Sequence, residues 1–213
     1  MNKKSLKIII WTVVFSVTYA IIRYHFFKGL NFSLFIVVFN KGISLASILL
    51  ISFSFTVGPL ARQFPNRIKQ FKSGKRLYGL WGFALAFFHT LISLLIFNPN
   101  YYNQFFSIIK INIIGEFILV TGFLSLLLIG MAFITSFPKL YPFSLKIFSL
   151  SQFAGFIGLV FGGLHVFPIG VNNWGHPKTW PGYLFPITLI SFLAVLVTIY
   201  CRAVLNSNKQ KVN

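Results

Sequence analysis

Two histidines lie deep inside apolar stretches of the sequence: His89 in LYGLWGFALAFFHTLISLLIF and His165 in SQFAGFIGLVFGGLHVFPIG. An imidazole surrounded by hydrocarbon is energetically unfavourable, so such a residue usually marks a functional site that faces protein or a cofactor. Imidazole is also a common axial ligand of haem iron. The two residues therefore predict a metal site in which His89 and His165 hold one b-type haem between them.

Small residues accompany each histidine at the three- and four-residue spacing that places side chains on one helix face. The stripe is Gly82, Ala86, His89 and Ser93 on the first helix, and Gly155, Gly158, Gly162 and His165 on the second. Because a face without bulky side chains leaves room for a large flat ligand, the glycines and the alanine of these stripes are predicted to line the cofactor. Close helix packing is the alternative explanation for the same stripes.

Lys41 and Glu116 are the other ionisable residues within apolar stretches, and Glu116 is the only acidic residue of the chain. At 1.5 Å per residue, both should lie at the depth of the two histidines, roughly 6–12 Å from one hydrocarbon boundary. We expect them to form a structural ion pair, with a proton-linked or substrate-linked role as the alternative. His25 and His176 are expected at the surface.

The composition is that of an integral membrane protein. The 213 residues are 56% hydrophobic and only 9% charged, whereas soluble domains contain about 25% charged residues. The net charge of +18 does not indicate a nucleic-acid partner, since the lysines and arginines are confined to short loops. The expected surroundings are membrane lipid.

Six stretches are long enough to cross a bilayer, which takes about 20 apolar residues each. They cover approximately residues 7–24, 33–58, 78–97, 112–135, 147–169 and 183–204. The linkers between them are too short to separate two domains. The sequence therefore predicts a single all-α domain over residues 1–213, a bundle of six transmembrane helices.

The distribution of basic residues predicts how this bundle is oriented. Fourteen would lie on the side of the two termini: Lys3, Lys4, Lys7, Arg62, Arg67, Lys69, Lys72, Lys75, Arg76, Lys139, Lys146, Arg202, Lys209 and Lys211. Four would lie on the other side: Arg23, Lys28, Lys110 and Lys178. Since cytoplasmic loops are enriched in Lys and Arg, both termini are predicted to be cytoplasmic, in a multi-pass protein of the inner (cytoplasmic) membrane.

The run from Gly74 to Leu80, GKRLYGL, followed by His89, resembles the ferric reductase-like transmembrane family. That family includes the haem-binding membrane subunit of the bacterial methionine sulfoxide reductase system. Its members begin the corresponding helix with a basic pair and a Leu-Gly-Leu, and a ligand histidine follows. Further matches are Gly122, Ser136 and a later helix that ends in His165. The resemblance covers approximately residues 40–205 and implies haem binding and electron transfer.

The sequence also departs from the family pattern. Members usually carry two histidines thirteen or fourteen residues apart on a helix, which supports two stacked haems. Here Gln152 stands thirteen residues before His165, and Asn103 stands fourteen after His89. The resemblance therefore implies one haem b, with no evident histidine ligands for a second. The chain ends nine residues after the last predicted span, so we expect no flavin or NADPH domain.

The expected function is electron transfer between a quinol or a separate soluble redox partner and an acceptor on the outer side. The chain would then be an oxidoreductase component without a reductase domain of its own. The alternative is a non-haem polytopic membrane protein, either a small transporter or an assembly factor, with a polar site of Lys41, Glu116 and the histidines. A family member that has lost its haem is a further alternative.

Overall fold

The computed structural model describes residues 3–27, 35–137 and 145–207, most of them in helices. The helices are α1 (Lys3–Ile21), α2 (Phe35–Gln63), α3 (Pro65–Lys72), α4 (Lys75–Leu95), α5 (Pro99–Tyr102), α6 (Ile113–Ile134), α7 (Leu145–Trp174) and α8 (Ile187–Ser207). A π-helical turn, Ile22–Phe26, extends α1. Strands β1 (Phe106–Ser107) and β2 (Lys110–Ile111) form an antiparallel hairpin.

The six predicted spans are confirmed as six helices that are long and apolar enough to cross a membrane. Two continue through a proline beyond their predicted ends: α2 passes Pro59 and ends at Gln63, and α7 passes Pro168 and ends at Trp174. Both prolines lie near the end of their helix, where the lost backbone hydrogen bond disturbs few neighbours. Helix α3, which begins at Pro65, and the β1–β2 hairpin lie in the linkers between the predicted spans.

Helix α2 forms the centre of the bundle. In its most apolar stretch 61% of the residues are buried, against 39% or less in the other five spans. It packs against α1, α4 and α8, while α6 packs along α7. The outward faces carry large apolar side chains, such as Leu95 at 81% exposure and Phe88 at 58%. Such a surface is unfavourable in water and suits lipid, as expected for a multi-pass membrane protein.

The bundle has two chemically different ends. The basic end contains α3, the start of α4 and the last turns of α2 and α8, with Arg62, Lys75, Arg76 and Arg202. The hairpin end contains α5, the β1–β2 hairpin and the start of α6. Of the basic residues used to predict the orientation, Lys28, Lys139, Lys209 and Lys211 lie outside the described residues.

Hydrogen bonds between antiparallel neighbours align the helices at both ends. At the basic end, the Ser54 hydroxyl of α2 donates to the Lys75 carbonyl of α4 at 2.9 Å. At the hairpin end, the Asn40 amide of α2 donates to the Ser93 hydroxyl of α4 at 2.8 Å. These contacts set the register of α4 on α2 and thereby the depth of His89.

Candidate functional site

A cavity of about 390 Å³ opens within the hairpin half of the bundle, and both predicted ligand histidines line it. His89 enters from α4 and His165 from α7, while α2 and α6 complete the walls. Most of the lining is apolar, including Leu94, Phe97, Leu119, Phe123, Leu126 and Ile169. This volume falls in the range of about 300–1,000 Å³ that is typical of ligand and cofactor sites. The tertiary structure thus brings the two imidazoles to the lining of one cavity.

Asn40 of α2 orients the His89 ring. The amide oxygen of Asn40 lies 2.8 Å from His89 Nδ1, and its amide nitrogen donates to Ser93 Oγ at 2.8 Å. Asn40 is only 1% exposed, so its amide is held in place by packing. Because the amide oxygen can only accept, His89 Nδ1 is the donor in this hydrogen bond.

A backbone carbonyl orients the His165 ring in the same way. Its Nδ1 lies 2.8 Å from the carbonyl oxygen of Ile118 on α6, which can only accept a hydrogen bond. Gly122, one turn further along α6, makes room for the ring: a Cβ there would lie 2.8 Å from His165 Nδ1. The glycine and the carbonyl together fix the position and the tautomer of the imidazole.

In both histidines Nδ1 therefore carries the proton and donates it to an acceptor oxygen. In the neutral ring, the unprotonated nitrogen is then Nε2. A neutral imidazole whose Nδ1–H is bound to an amide or a carbonyl presents Nε2 as a metal ligand. Such an outer hydrogen bond also increases the basicity of the ligating nitrogen. In the neutral form of each ring, Nε2 is thus the nitrogen that keeps a free lone pair.

An aromatic cluster covers the cavity at the hairpin end. Phe97, Tyr102 and Phe105 all line it, and Tyr102 and Phe105 stack with 5.7 Å between ring centroids. Burial raises the pKa of Tyr102 above its ordinary value of 10.0, and a hydrogen bond with the Asn40 side chain partly opposes this shift. The hydroxyl therefore stays protonated at neutral pH, next to the residue that orients His89.

The small-residue stripes divide between two roles. Ala86 and Gly162 line the cavity, and so does Ser93. Gly82 instead lies against α2, since a Cβ there would approach the Ile51 side chain to 2.6 Å. At Gly155 and Gly158 a Cβ would approach α6, at 2.7 Å from Ala132 Cβ and 2.8 Å from Ile129 Cγ1. These three glycines occupy helix contacts, which corresponds to the packing alternative.

Lys41 and Glu116 occupy separate environments. The Lys41 ammonium group lies over the Tyr24 ring, 4.1 Å from its centroid, in a cation–π contact. Glu116 is exposed in the first turn of α6, where a negative charge is favourable at a helix N-terminus. No ion pair joins the two side chains among the residues that the structure describes, and neither lines the histidine cavity. Of the two surface histidines, His176 is exposed and His25 is half-buried.

Three residues of the site were not predicted to bind or orient anything: Asn40, Tyr102 and Gly122, although Gly122 had been noted as a family match. Asn40 is a polar residue inside an apolar stretch, which is a usable signal in a membrane protein. Tyr102 follows a turn after α4, and nothing in the sequence places it over a cavity. Its role depends on how the loop folds back.

A second cavity, of about 220 Å³, lies at the basic end between the same four helices. Lys75 and Arg76 of α4 and Gln152 of α7 line it, together with the hydroxyl-bearing residues Ser54 and Ser136. Ile51 and Ile129 line both cavities and so form the wall between them. Gln152, thirteen positions before His165, thus belongs to a second cavity whose lining contains no histidine.

Within residues 3–27, 35–137 and 145–207, no group of three or more His, Cys, Asp or Glu is placed to hold a metal ion. The two imidazoles can supply a pair of ligands to a metal whose remaining ligands come from elsewhere. In comparisons with known proteins, no family profile matches the chain, and no curated protein matches it with significant similarity.

Proposed function

We propose that this chain is a membrane electron-transfer protein that binds one b-type haem between His89 and His165. Electrons would move between a quinol or a separate redox partner and an acceptor on the side of the hairpin end. One observation supports this proposal most strongly: both imidazoles line one cavity, and each has its Nδ1 hydrogen-bonded to an oxygen acceptor. The other ring nitrogen, Nε2, would then be the atom that binds the metal.

The number of protein ligands favours haem over a bare metal ion. A zinc ion takes three or four protein ligands, and two imidazoles do not satisfy it. A porphyrin itself supplies four nitrogen ligands to its iron, so His89 and His165 would be sufficient as the two ligands from the protein. The apolar walls of the cavity are also suited to the hydrophobic faces of a macrocycle.

When bound, such a haem would supply a reversible one-electron couple. The chain's own residues hold and shield it. Asn40 and the Ile118 carbonyl keep both imidazoles in the ligating tautomer, and the cluster of Phe97, Tyr102 and Phe105 limits access of water from the hairpin end. A dry site lowers the local dielectric constant, through which the protein sets a redox potential.

The orientation of the proposed protein follows from charge. The described residues of the basic end include Arg62, Lys75, Arg76 and Arg202, while those of the hairpin end include Glu116. With the basic end in the cytoplasm, the histidine cavity lies toward the outer side. A single haem in that position does not bridge the membrane, so oxidation of a quinol at the outer side is the simplest route. The resemblance of GKRLYGL and His89 to the ferric reductase-like family supports the same conclusion.

Absorption spectroscopy of purified protein from haem-replete cells tests the proposal. We expect a reduced-minus-oxidised spectrum with the Soret and α-band changes of a low-spin, bis-histidine b-haem. His89→Ala and His165→Ala should each abolish low-spin ligation, because each removes one axial ligand. His25→Ala and His176→Ala are the matched controls and should retain the spectrum. A colourless wild-type protein, or an unchanged spectrum in His89→Ala, would contradict haem ligation by this pair.

The proposed orientation has its own test. A reporter that is active only in the cytoplasm, fused after residue 213, should be active because the C-terminal end of α8 belongs to the basic end. A fusion placed in the β1–β2 hairpin, after Ile109, is the control and should be inactive. The reverse pattern, in stably expressed fusions, would place the histidine cavity on the cytoplasmic side.

A further inference from the structure

We propose that the basic-end cavity, lined by Lys75, Arg76 and Gln152, is a binding site for a phosphate group. This inference concerns a second site and does not depend on haem binding. The cavity measures about 220 Å³, which accommodates a phosphate and a small attached apolar portion. Its cationic rim lies beside an apolar floor of Ile51 and Ile129.

The positive charge at this cavity is concentrated. Lys75 and Arg76 line it directly, and the charges of Arg202, Arg62 and Lys72 each act on Lys75. Arg202 is held beside the cavity by aromatic faces. Its guanidinium carbon lies 4.2 Å from the Phe156 ring centroid and 5.6 Å from that of Phe55, which lines the cavity.

The chain has no acidic side chain with which to neutralise this cluster. Its only acidic residue is Glu116, in the first turn of α6, whereas the cavity is lined by Ile129, Ala132 and Phe133 near the other end of that helix. Thirteen or more residues of helix separate them, about 20 Å at 1.5 Å per residue. Glu116 is therefore too far away to neutralise Lys75 and Arg76, the two cations that line the cavity.

Phosphate matches this cavity in charge and in hydrogen bonding. A phosphate monoester carries about −1.5 to −2 charges and three acceptor oxygens. The diester phosphate of most phospholipid headgroups carries a single charge and fewer free oxygens, and still suits a cationic site. Arginine donates to such oxygens in a bidentate manner, and lysine adds a point charge. The side-chain amide of Gln152 is a further donor on the opposite helix. The phosphate could belong to a phospholipid headgroup or to a soluble compound, since the cavity lies at the end of the bundle.

Calorimetric titration with inorganic phosphate tests the site in full-length protein, delipidated in an uncharged detergent. We expect wild type to bind, and Lys75→Gln/Arg76→Gln to bind about tenfold more weakly or worse, because two charge-assisted contacts are lost. The matched control is Lys3→Gln/Arg67→Gln, which removes two exposed cations of the same end. It should bind as wild type does. Arg76→Lys keeps the charge but loses the bidentate hydrogen bonds, so its affinity should lie between those of wild type and Arg76→Gln.

Native mass spectrometry of protein before delipidation identifies the source of the phosphate. A phospholipid that is retained by wild type and lost from Lys75→Gln/Arg76→Gln indicates a headgroup. Equal lipid retention, together with phosphate binding before delipidation, indicates a soluble compound. If the double variant does not fold, phosphate binding and lipid retention are compared between the single variants Arg76→Gln and Arg76→Lys.

Equal phosphate affinity in wild type and the double variant would overturn the site. An equal loss of phosphate affinity in Lys3→Gln/Arg67→Gln would also overturn the site, because it would show that only the total charge of this end matters. His89→Ala separates the two proposals: it should lose haem and still bind phosphate.

Discussion

The two cavities lie between the same four helices, yet their chemistry differs. Helix α4 contributes Arg76 to the basic-end cavity and His89 to the histidine cavity at the hairpin end. Helix α7 likewise contributes Gln152 to the basic-end cavity and His165 to the histidine cavity. Each pair is thirteen residues apart, about 20 Å along a helix. Two pairs of ligands would suit two stacked haems. Imidazoles line one level only, which supports the proposal of one haem at that level and a different occupant at the other.

The two levels also differ in how their polar groups are supported. In the histidine cavity a hydrogen-bond acceptor 2.8 Å from Nδ1 orients each imidazole: the Asn40 amide oxygen for His89 and the Ile118 carbonyl for His165. In the basic-end cavity Arg202 is placed by aromatic rings, and the chain carries no acidic side chain near Lys75 or Arg76. Imidazoles with a hydrogen-bonded Nδ1 are typical of oriented metal ligands. Cations without a nearby acidic side chain are typical of a site that binds an anion. Matched substitutions at the two levels can test this difference.

The largest effect is expected from Gly122→Ala. The new Cβ would lie 2.8 Å from His165 Nδ1 and 3.1 Å from its Cε1, so the ring must move away from the Ile118 carbonyl. We expect most of the low-spin haem to be lost, as measured by the haem-to-protein ratio of the purified variant. Gly79→Ala is the counterpart in the basic-end cavity, where a Cβ meets only the Ser54 side chain, at 3.1 Å from its hydroxyl. It should keep its haem. Equal losses in both variants would indicate a general packing defect.

A smaller effect is expected from Asn40→Leu, which leaves the His89 Nδ1–H and the Ser93 hydroxyl without their partner. Loss of such an outer-shell hydrogen bond typically costs about 10–100-fold in metal affinity. Haem titration should show a loss of this size, and the midpoint potential should shift because His89 becomes less basic. Gln152→Leu removes an amide from the other cavity and should change neither quantity. A normal potential in Asn40→Leu would make Asn40 merely a packing residue.

The smallest effect is expected from Tyr102→Phe. Haem should remain bound, since the ring that covers the cavity is kept, and only the hydroxyl next to Asn40 is lost. We expect a change of about threefold or less in haem affinity, as for the loss of one hydrogen bond worth about 0.5 kcal/mol. Tyr101→Phe, at an exposed neighbouring tyrosine, is the control.

The pH dependence of the wild type sharpens this third test. Because burial raises the pKa of Tyr102 above 10.0, its hydroxyl is neutral below that pH, and deprotonation occurs only above it. The haem spectrum should therefore show no transition from this group below pH 10.0. A transition below that value that disappears in Tyr102→Phe would mean that the hydroxyl is more exposed than the structure indicates.

The six long helices were predictable because each is a continuous apolar stretch of the length that a bilayer requires. His89 and His165 could be singled out for a related reason, since imidazoles are rare in such stretches; the haem ligation expected of them stays a prediction. These properties belong to single segments and need no knowledge of neighbours. The hairpin of β1 and β2 and the short helix α3 were not predicted, because segments this short carry too few residues to show a period.

Which residues share a surface was decided by the tertiary structure alone. Spacing placed Gly82 and Ala86 on one stripe, but contact with α2 covers Gly82 and leaves Ala86 in the cavity. Depth along separate helices suggested that Lys41 and Glu116 pair, yet rotation about each helix axis turns Lys41 toward Tyr24 and leaves Glu116 exposed. Asn40 reaches His89 only because α2 and α4 pack in one register. A sequence specifies the depth and periodicity of a side chain within its own helix, whereas its neighbours depend on how that helix is rotated and packed.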